Sequence, residues 1–363
     1  MKYYSETLAC LNRSDEYDLV QKKLTYHGYQ KTEDPQEADV IMIYTCGSTD
    51  AFISRSVTRT KELDQKYGKK IIVCGCSTVT SLKSYEDTDF LLCSPTDFSK
   101  LEELLNVQVK QEELRVAQIT DDPIFNQKAI VIQKGCVRKC AYCGIWKAVG
   151  KLFSKTPESV LAEVKELVKS GVYNITLSGD SIADYGADFG SNIIKLLNSI
   201  GSVDEKVSFN LLDFHPRMFI KYMDELITLA QKGKIKHIGI PIQSGSVDIL
   251  KAMKREFNIE KFVFGLDEIR KCGIDFSTDI IIGFPGETDE DFDKTITLLK
   301  RLNFSKISVN VYTDLEGSIS SSMPNKISKK NIMKRYITIK ESGLQGIDND
   351  FLDYQISKVV YSK

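Results

Sequence analysis

The chain has 363 residues, of which 42% are hydrophobic and 27% are charged, and its formal net charge is −1. This composition excludes a disordered or fibrous protein and fits a globular chain with one large domain and one smaller domain. Residues 1–18 are too polar for a signal peptide, and no apolar run approaches the roughly 18 residues that span a bilayer, so we expect a cytoplasmic, non-membrane protein.

Charge is spread along the chain without a basic tail. The net charge is −4 over residues 1–120, +5 over 121–340 and −2 over 341–363. A dedicated nucleic-acid-binding protein normally carries a stronger basic footprint, although a local basic patch on the middle segment is left open. The nine cysteines are expected in a reducing compartment, so clusters of them are interpreted as metal ligands or catalytic thiols and not as disulfides.

The first 120 residues are predicted to form a small α/β domain. Helical patterns and apolar, strand-like runs alternate at 14–27, 39–44, 50–66 and 70–74. Cys10, Cys46 and Cys76 each end or follow a strand-like segment, and the ligands of open α/β sheets collect beyond the carboxyl ends of strands. The residues alone leave two alternatives open for this trio, namely convergent ligands and small core residues.

A polar segment at 95–127 is predicted to hold the last helix of this domain and then a linker. Six strand-like runs separated by helical segments follow at 129–133, 174–178, 206–212, 236–242, 274–282 and 306–312. This alternation predicts an α/β fold in which helices wrap a parallel sheet, here a partial (β/α)6 barrel. The predicted domains are therefore residues 1–120 and 121–340, with a C-terminal stub at 341–363.

Three thiols lie close together in KGCVRKCAYCGIW, residues 134–146, directly after the first of these six strands. A closed zinc site would need a fourth ligand, and the three histidines of the chain lack ligand spacing. A 4Fe–4S cluster held by only Cys136, Cys140 and Cys143 would leave one iron open. S-adenosylmethionine is the cofactor that iron–sulfur chemistry uses to make radicals. The spacing therefore predicts a radical S-adenosylmethionine site, with a zinc knuckle as the alternative.

The ends of other strands supply candidate contacts to S-adenosylmethionine. Together with the cluster loop, they give Tyr142, Gly179, Asp180, Gln243, Ser244, Gly283 and Pro285. Asp180 would accept a hydrogen bond from the ammonium group of S-adenosylmethionine, and Gln243 and Ser244 would contact its ribose and carboxylate. Gly283 and Pro285 shape a turn against which the adenine would pack. The alternatives are ordinary strand-ending turns and helix capping by Ser244.

With these residues assembled, the chain resembles the radical S-adenosylmethionine methylthiotransferases, which modify an adenosine of tRNA beside the anticodon or an aspartate of a ribosomal protein. The resemblance runs from about residue 3 to about residue 340 and rests on ADVIMIYTCGSTDA, VCGCS, KGCVRKCAYCGI, IPIQSGSVDILKAMKR and STDIIIGFPGETDEDF. It implies that Cys136, Cys140 and Cys143 bind the radical-generating 4Fe–4S cluster.

The resemblance also implies a second, auxiliary 4Fe–4S cluster on Cys10, Cys46 and Cys76. The remaining cysteines match no ligand position and are expected in the core: Cys74, Cys93 and Cys272. A 5′-deoxyadenosyl radical would take hydrogen from a substrate carbon, which would then receive sulfur and a methyl group, with no catalytic side chain beyond the cluster ligands. The implied partners are an electron donor such as flavodoxin or ferredoxin and a sulfur donor, and the chain is expected to be a monomer.

The chain departs from the family pattern beside the cluster loop and at its end. Gly144, Ile145 and Trp146 stand where the family usually has Ile-Ile-Pro, and the stub stands where the family continues into a small β-barrel, TRAM, that helps grip the substrate. These departures favour a peptide or protein substrate, with anticodon-adjacent tRNA adenosine as the alternative. Two further hypotheses are a two-cluster peptide-modifying radical enzyme without methylthio transfer, and a non-enzymatic iron–sulfur or zinc module that binds RNA.

Overall fold

The computed structural model describes residues 1–110, 113, 119–122 and 124–361. Within these residues, the first sheet has five parallel strands in the order β2-β1-β3-β4-β5. The strands are β1 Lys2–Thr7, β2 Gln30–Lys31, β3 Val40–Thr45, β4 Lys70–Gly75 and β5 Leu91–Cys93. β3 is buried along its whole length, as expected for a central parallel strand with both faces covered.

Helices pack on both faces of this sheet. They are α1 Ser14–Tyr26, α2 Asp50–Tyr67, α3 Ser77–Thr80 and α4 Ser99–Leu105. Met42 and Tyr44 pack with residues of α1 and α4, whereas Ile41 and Ile43 pack with residues of α2, because successive side chains of a strand point to opposite faces. The predicted strands and helices of this region are confirmed.

The second sheet of the described chain contains six parallel strands in chain order, β7-β9-β10-β11-β12-β13. Its strands are β6 Ile119–Asp122, β7 Gln127–Lys134, β8 Phe153–Ser154, β9 Asn174–Gly179, β10 Ser208–Leu211, β11 Ile235–Gly239, β12 Asp275–Ile282 and β13 Lys306–Val311. The short strands β6 and β8 pair antiparallel with β7. The six sequential parallel strands confirm the partial (β/α)6 barrel.

The predicted linker at 95–127 is partly wrong. Its helix is present as α4, but Ile119–Asp122 pair with β7 as strand β6, and Asp122 accepts a hydrogen bond from the Thr176 hydroxyl of β9. Residues 111–112, 114–118 and 123 of that prediction lie outside the described residues. A four-residue edge strand that contains two aspartates carries little strand signal, because its pairing depends on a partner that only the fold supplies.

Helices connect the barrel strands and follow the last of them. They are α5 Ile145–Val149, α6 Pro157–Lys169, α7 Ile193–Gly201, α8 Pro216–Lys221, α9 Met223–Gln231, α10 Val247–Ala252, α11 Ile259–Arg270, α12 Asp289–Leu302, α13 Lys329–Glu341 and α14 Asn349–Tyr361. In α6, the Thr156 hydroxyl accepts from Ser159 N at 3.1 Å, Pro157 occupies the first turn, and Val160 and Val164 are fully buried on one face. None of the helices described is long and apolar enough to cross a membrane.

The C-terminal segment, uninformative in the sequence, packs along the last barrel strand and ends in α14. The side-chain amide of Gln355 accepts from Val311 N at 2.9 Å and donates to Val309 O at 2.9 Å. The Phe351 ring stacks on Phe52 of α2, with 5.3 Å between the ring centroids. This segment therefore joins the edge of the barrel to the first sheet's helices.

Candidate functional site

Three cysteines follow three neighbouring parallel strands of the first sheet, and we call them the first trio. Cys46 and Cys76 directly follow β3 and β4, and Cys10 lies shortly beyond β1. All three line one cavity, whose volume is about 620 Å³. Cys10 is exposed, but the protein atoms around its thiol desolvate it and, with a smaller contribution from Cys46, raise its pKa to about 12. The strand ends thus bring together the three residues that the sequence singled out.

Cys136, Cys140 and Cys143, the second trio, lie in the loop after β7. Cys143 lines the same cavity as the first trio. Burial raises the pKa of Cys136 to about 12 and that of Cys143 to about 11, with added contributions from the neighbouring thiols. Arg255 Nη1 lies 3.6 Å from the Cys140 sulfur and donates to it. The second trio therefore lies on one loop, with a buried cation beside Cys140.

One glycine shapes each of two cysteine loops. Gly75 precedes Cys76 with φ +105°, and a Cβ there would overlap the carbonyl oxygen of Thr45. Gly135 precedes Cys136 with φ +76°, and a Cβ there would overlap the carbonyl oxygen of Lys151. Because L side chains rarely adopt such φ values, both turns depend on glycine.

The donor chemistry of both trios fits iron–sulfur clusters. Within the part of the chain that the structure describes, no three Cys, His, Asp or Glu residues are grouped closely enough to hold a single metal ion. The irons of a 4Fe–4S cluster are held by separate thiolates, so its ligands stand further apart than those of one zinc ion. The raised thiol pKa values mean that cluster binding must displace protons, as it does wherever thiolates become metal ligands.

Three of the predicted S-adenosylmethionine contacts, Tyr142, Asp180 and Gln243, line the cavity. One carboxylate oxygen of Asp180, Oδ2, already accepts from Gly135 N at 2.7 Å and from Arg13 Nη2 at 2.6 Å. Gln243 has φ +70°, and its buried Oε1 has no hydrogen-bond partner among the described residues. Gln243 Oε1 is therefore available to a ligand, whereas Asp180 also holds the cluster loop in place.

The other four candidates are not among the described residues that line the cavity: Gly179, Ser244, Gly283 and Pro285. The Ser244 hydroxyl lies 3.2 Å from the Thr295 hydroxyl of α12, and Gly283 N donates to Glu287 at 2.7 Å. These contacts stabilise the turns after β11 and β12. A role for the four residues in binding S-adenosylmethionine stays a prediction.

Sequence reasoning missed two acidic residues, Asp213 just after β10 and Asp279 within β12. Asp213 and Asp279 both line the cavity. Burial, reinforced by the charge of Asp279, raises the pKa of Asp213 to about 7, and burial also raises the pKa of Asp279. Asp213 follows the carboxyl end of a barrel strand, which was a signal that could have found it, whereas Asp279 lies within β12 and had no such signal.

Two buried arginines were also missed. Arg13 lines the cavity beside the first trio, and Arg255 contacts Cys140 of the second. Both are at most 7% exposed. Neither has a sequence signal, because each lies in a charged stretch where a surface position would be the usual interpretation.

Cys74 and Cys93 are fully buried and paired in register within the core of the first sheet. Cys272 packs at the edge of the barrel's apolar core. All three cysteines lie where a core role was expected.

Family models match both parts of the chain. The model described as Radical SAM superfamily matches residues 130–299, and the model described as uncharacterized protein family UPF0004 matches residues 2–90. A probable threonylcarbamoyladenosine tRNA methylthiotransferase of Pyrococcus abyssi is 30% identical over 338 residues, which are 88% of this chain and 79% of the relative.

The chain belongs to the radical S-adenosylmethionine methylthiotransferase family. Another methylthiotransferase relative, a tRNA-2-methylthio-N(6)-dimethylallyladenosine synthase of Thermosipho melanesiensis, is 28% identical over 100% of this chain and 88% of its own. The ribosomal protein uS12 methylthiotransferase RimO of Carboxydothermus hydrogenoformans is 28% identical over 94% of this chain and 82% of its own. As a methylthiotransferase, the protein is a transferase, and its family implies a 4Fe–4S cluster and S-adenosylmethionine.

The chain also shares its fold with solved structures. The radical S-adenosylmethionine methyltransferase TsrM of Kitasatospora setae superposes with a TM-score of 0.61 at 12% identity, covering 85% of this chain and 74% of the other. At this identity the likeness shows the fold alone. It agrees with the six-stranded parallel barrel described above.

Proposed function

We propose that this protein uses two 4Fe–4S clusters and S-adenosylmethionine to insert a methylthio group at an unactivated C–H carbon. The observation that carries the proposal is the single cavity that Cys10, Cys46, Cys76 and Cys143 line together. When bound, the clusters and S-adenosylmethionine supply the radical that removes hydrogen and the sulfur and methyl group that replace it. A shared cavity would let one substrate carbon meet both sites without diffusing between them.

The chain's own residues would hold the two clusters and enclose the reacting carbon. The first trio would hold the auxiliary cluster and the second trio the radical-generating cluster. Phe52, Ile281 and Leu315 give the cavity apolar walls, which would keep water from the reacting carbon. The described cavity needs no general acid or base for this step, so the chain's contribution is positioning.

We further propose a peptide or protein side chain as the substrate. Six charged residues line the cavity: Arg13, Asp180, Asp213, Asp279, Lys306 and Asp348. Arg13 pairs with Asp180 at 2.6 Å and Lys306 with Asp348 at 3.7 Å, and no cation of the described chain lies within ion-pair distance of the remaining two aspartates. Because burial raises the pKa of both aspartates, they offer carboxyl groups with at most partial negative charge and no cationic partner, a lining that favours a neutral or cationic hydrogen-bonding group over a phosphodiester.

A second candidate substrate, tRNA, is favoured by a cation and aromatic cluster beside Cys143. The Trp146 ring is half-buried, with Lys139 Nζ 5.4 Å and Lys147 Nζ 5.5 Å from its centroid. Lysines around an aromatic ring are typical of surfaces that hold single-stranded nucleic acid. The names of two of the relatives above also specify tRNA.

Product analysis tests the function and separates the two substrates. The anaerobically reconstituted protein would be incubated with S-adenosylmethionine, sulfide and reduced flavodoxin or ferredoxin, and with either bulk tRNA or a cell-derived peptide and ribosomal-protein pool. We expect mass spectrometry to find a methylthio group in the protein or peptide fraction. A modified tRNA would replace the peptide assignment with the second candidate, and a product without sulfur would contradict methylthio transfer.

A matched pair of variants sharpens the result. C10A/C46A/C76A removes the first trio and should abolish methylthio incorporation. K139E/K147E reverses the cations beside Trp146 and should leave peptide modification unchanged, while lowering tRNA modification at least tenfold if tRNA is the substrate. A loss of peptide modification in K139E/K147E would contradict a peptide or protein substrate that binds without these cations.

A further inference from the structure

Arg13 is a buried cation placed between the two trios. It ends the 3₁₀ turn Leu11–Arg13 that directly follows Cys10, and it is 2% exposed. It lines the cavity together with the whole first trio. A charge this well buried needs partners that compensate its desolvation.

The two terminal nitrogens of Arg13 have such partners. Nη1 donates to Glu16 at 2.6 Å and Nη2 donates to Asp180 Oδ2 at 2.6 Å. The same Asp180 oxygen accepts from the backbone amide of Gly135, the residue before Cys136. Arg13 therefore ties the loop that carries Cys10 to the loop that carries the second trio.

Further buried ion pairs fix this arrangement. Lys134 Nζ lies 2.8 Å from Asp15 and 2.7 Å from Glu16, and Lys155 pairs with Asp15. These side chains are at most 2% exposed. The guanidinium plane of Arg13 is thus held at one orientation by α1 on one side and the barrel on the other.

The third guanidinium nitrogen of Arg13, Nε, is buried and has no hydrogen-bond partner in the part of the chain that the structure describes. Arg13 lines one cavity together with Cys10, Cys46 and Cys76 and lies three residues after Cys10. A buried N–H without a partner beside three thiols points to an acceptor that binds there.

We propose that Arg13 is a positioning residue of the auxiliary cluster, that its Nε–H donates to a sulfur of that cluster, and that its charge raises the cluster's reduction potential. Hydrogen bonds and positive charge near cluster sulfurs stabilise the reduced, more negative state. The inference rests on the proposed function, since it requires a cluster on the first trio. Arg13 would then set the reduction potential of the auxiliary cluster separately from that of the radical-generating cluster.

The test is a redox titration of the auxiliary cluster, followed by electron paramagnetic resonance in the full chain. A C136A/C140A/C143A background isolates this cluster, and R13Q and R13K are added to it. R13Q should make reduction at least tenfold less favourable, which for a one-electron couple lowers the potential by about 59 mV. R13K, which keeps the charge but loses the planar donor, should fall between R13Q and the parent. Unchanged potentials in both variants would overturn the proposal.

Arg335 provides a matched control. It is also 2% exposed, pairs with Glu287 at 2.6 Å and has a buried Nε without a described partner, but it lies on α13. R335Q should leave the potential at the parent value, and an equal shift there would also overturn the proposal. If R13Q binds no iron, the reduction potential of R13K is compared with that of the parent instead, and an unchanged potential in R13K overturns the proposal. If the C136A/C140A/C143A background binds no iron, the auxiliary cluster itself is contradicted. If that background binds iron but its reduction potential is the same with and without Arg13, only this inference is contradicted.

Discussion

The two trios present similar thiols in different ways. The second trio occupies one short loop after one strand, so its spacing is local and visible in the sequence. The first trio takes one cysteine from each of three strand ends, and only the parallel order of β1, β3 and β4 brings them together. Their cations differ too, since Arg255 contacts a thiol at 3.6 Å while Arg13 keeps an unused donor. The two trios have the same number of thiols, but these differences allow the two sites to have different functions.

Removing each trio in turn should have the largest effect. C136A/C140A/C143A should abolish cleavage of S-adenosylmethionine, because the second trio would hold the iron that this cofactor needs. C10A/C46A/C76A should retain cleavage and lose only methylthio incorporation. Liquid chromatography of 5′-deoxyadenosine and mass spectrometry of the product measure both. Equal loss of cleavage in the two variants would remove the functional difference between the trios.

Replacing the loop glycines should break one site at a time. G75A and G135A each force a left-handed φ on alanine and a clash with a backbone carbonyl, which costs about 1 to 3 kcal/mol and displaces the adjacent cysteine. Iron analysis should show that each variant loses one cluster. G171A is the control, since φ is +85° but no atom lies within 4 Å of the added Cβ, so both clusters should remain.

The C-terminal segment should contribute stability and not chemistry. Q355A leaves Val311 N and Val309 O of the last barrel strand without their partner, so the free energy of unfolding should fall by about 1 to 3 kcal/mol. Chemical denaturation measures this change. S357A removes only a bond to the Tyr354 carbonyl within the same helix and should change stability by less than about 0.5 kcal/mol. Equal effects of Q355A and S357A would contradict the described docking of α14.

The stability of the folded protein should depend on pH through Asp213, which lines the barrel side of the cavity. Its folded pKa of about 7 lies above the unfolded value of about 3.9, so the folded state binds the proton more tightly. The stability that this proton provides is complete below about pH 4 and is lost as pH rises through about 7. D213N should flatten the thermal stability profile across that window. An unchanged profile in D213N would show that Asp213 titrates normally.

The sequence predicted the elements with strong local patterns. Repeated strand and helix alternation identified the barrel, and the rule for strand ends in parallel sheets indicated that Cys10, Cys46 and Cys76 could converge. Strand β6 and the docking of α14 escaped prediction, because their stability comes from pairing with β7 and from Gln355 contacts that are made only in the fold. Arg13 and Asp180 are 167 residues apart in sequence, so no local pattern could reveal their contact.

In the proposed enzyme, the two trios hold separate clusters around one cavity. Iron and sulfide analysis with Mössbauer spectroscopy of the anaerobically reconstituted protein counts these clusters. We expect about eight iron atoms per chain, four for each 4Fe–4S cluster, and half that number in either triple cysteine variant. About four iron atoms per chain, unchanged in C10A/C46A/C76A, would contradict this expectation.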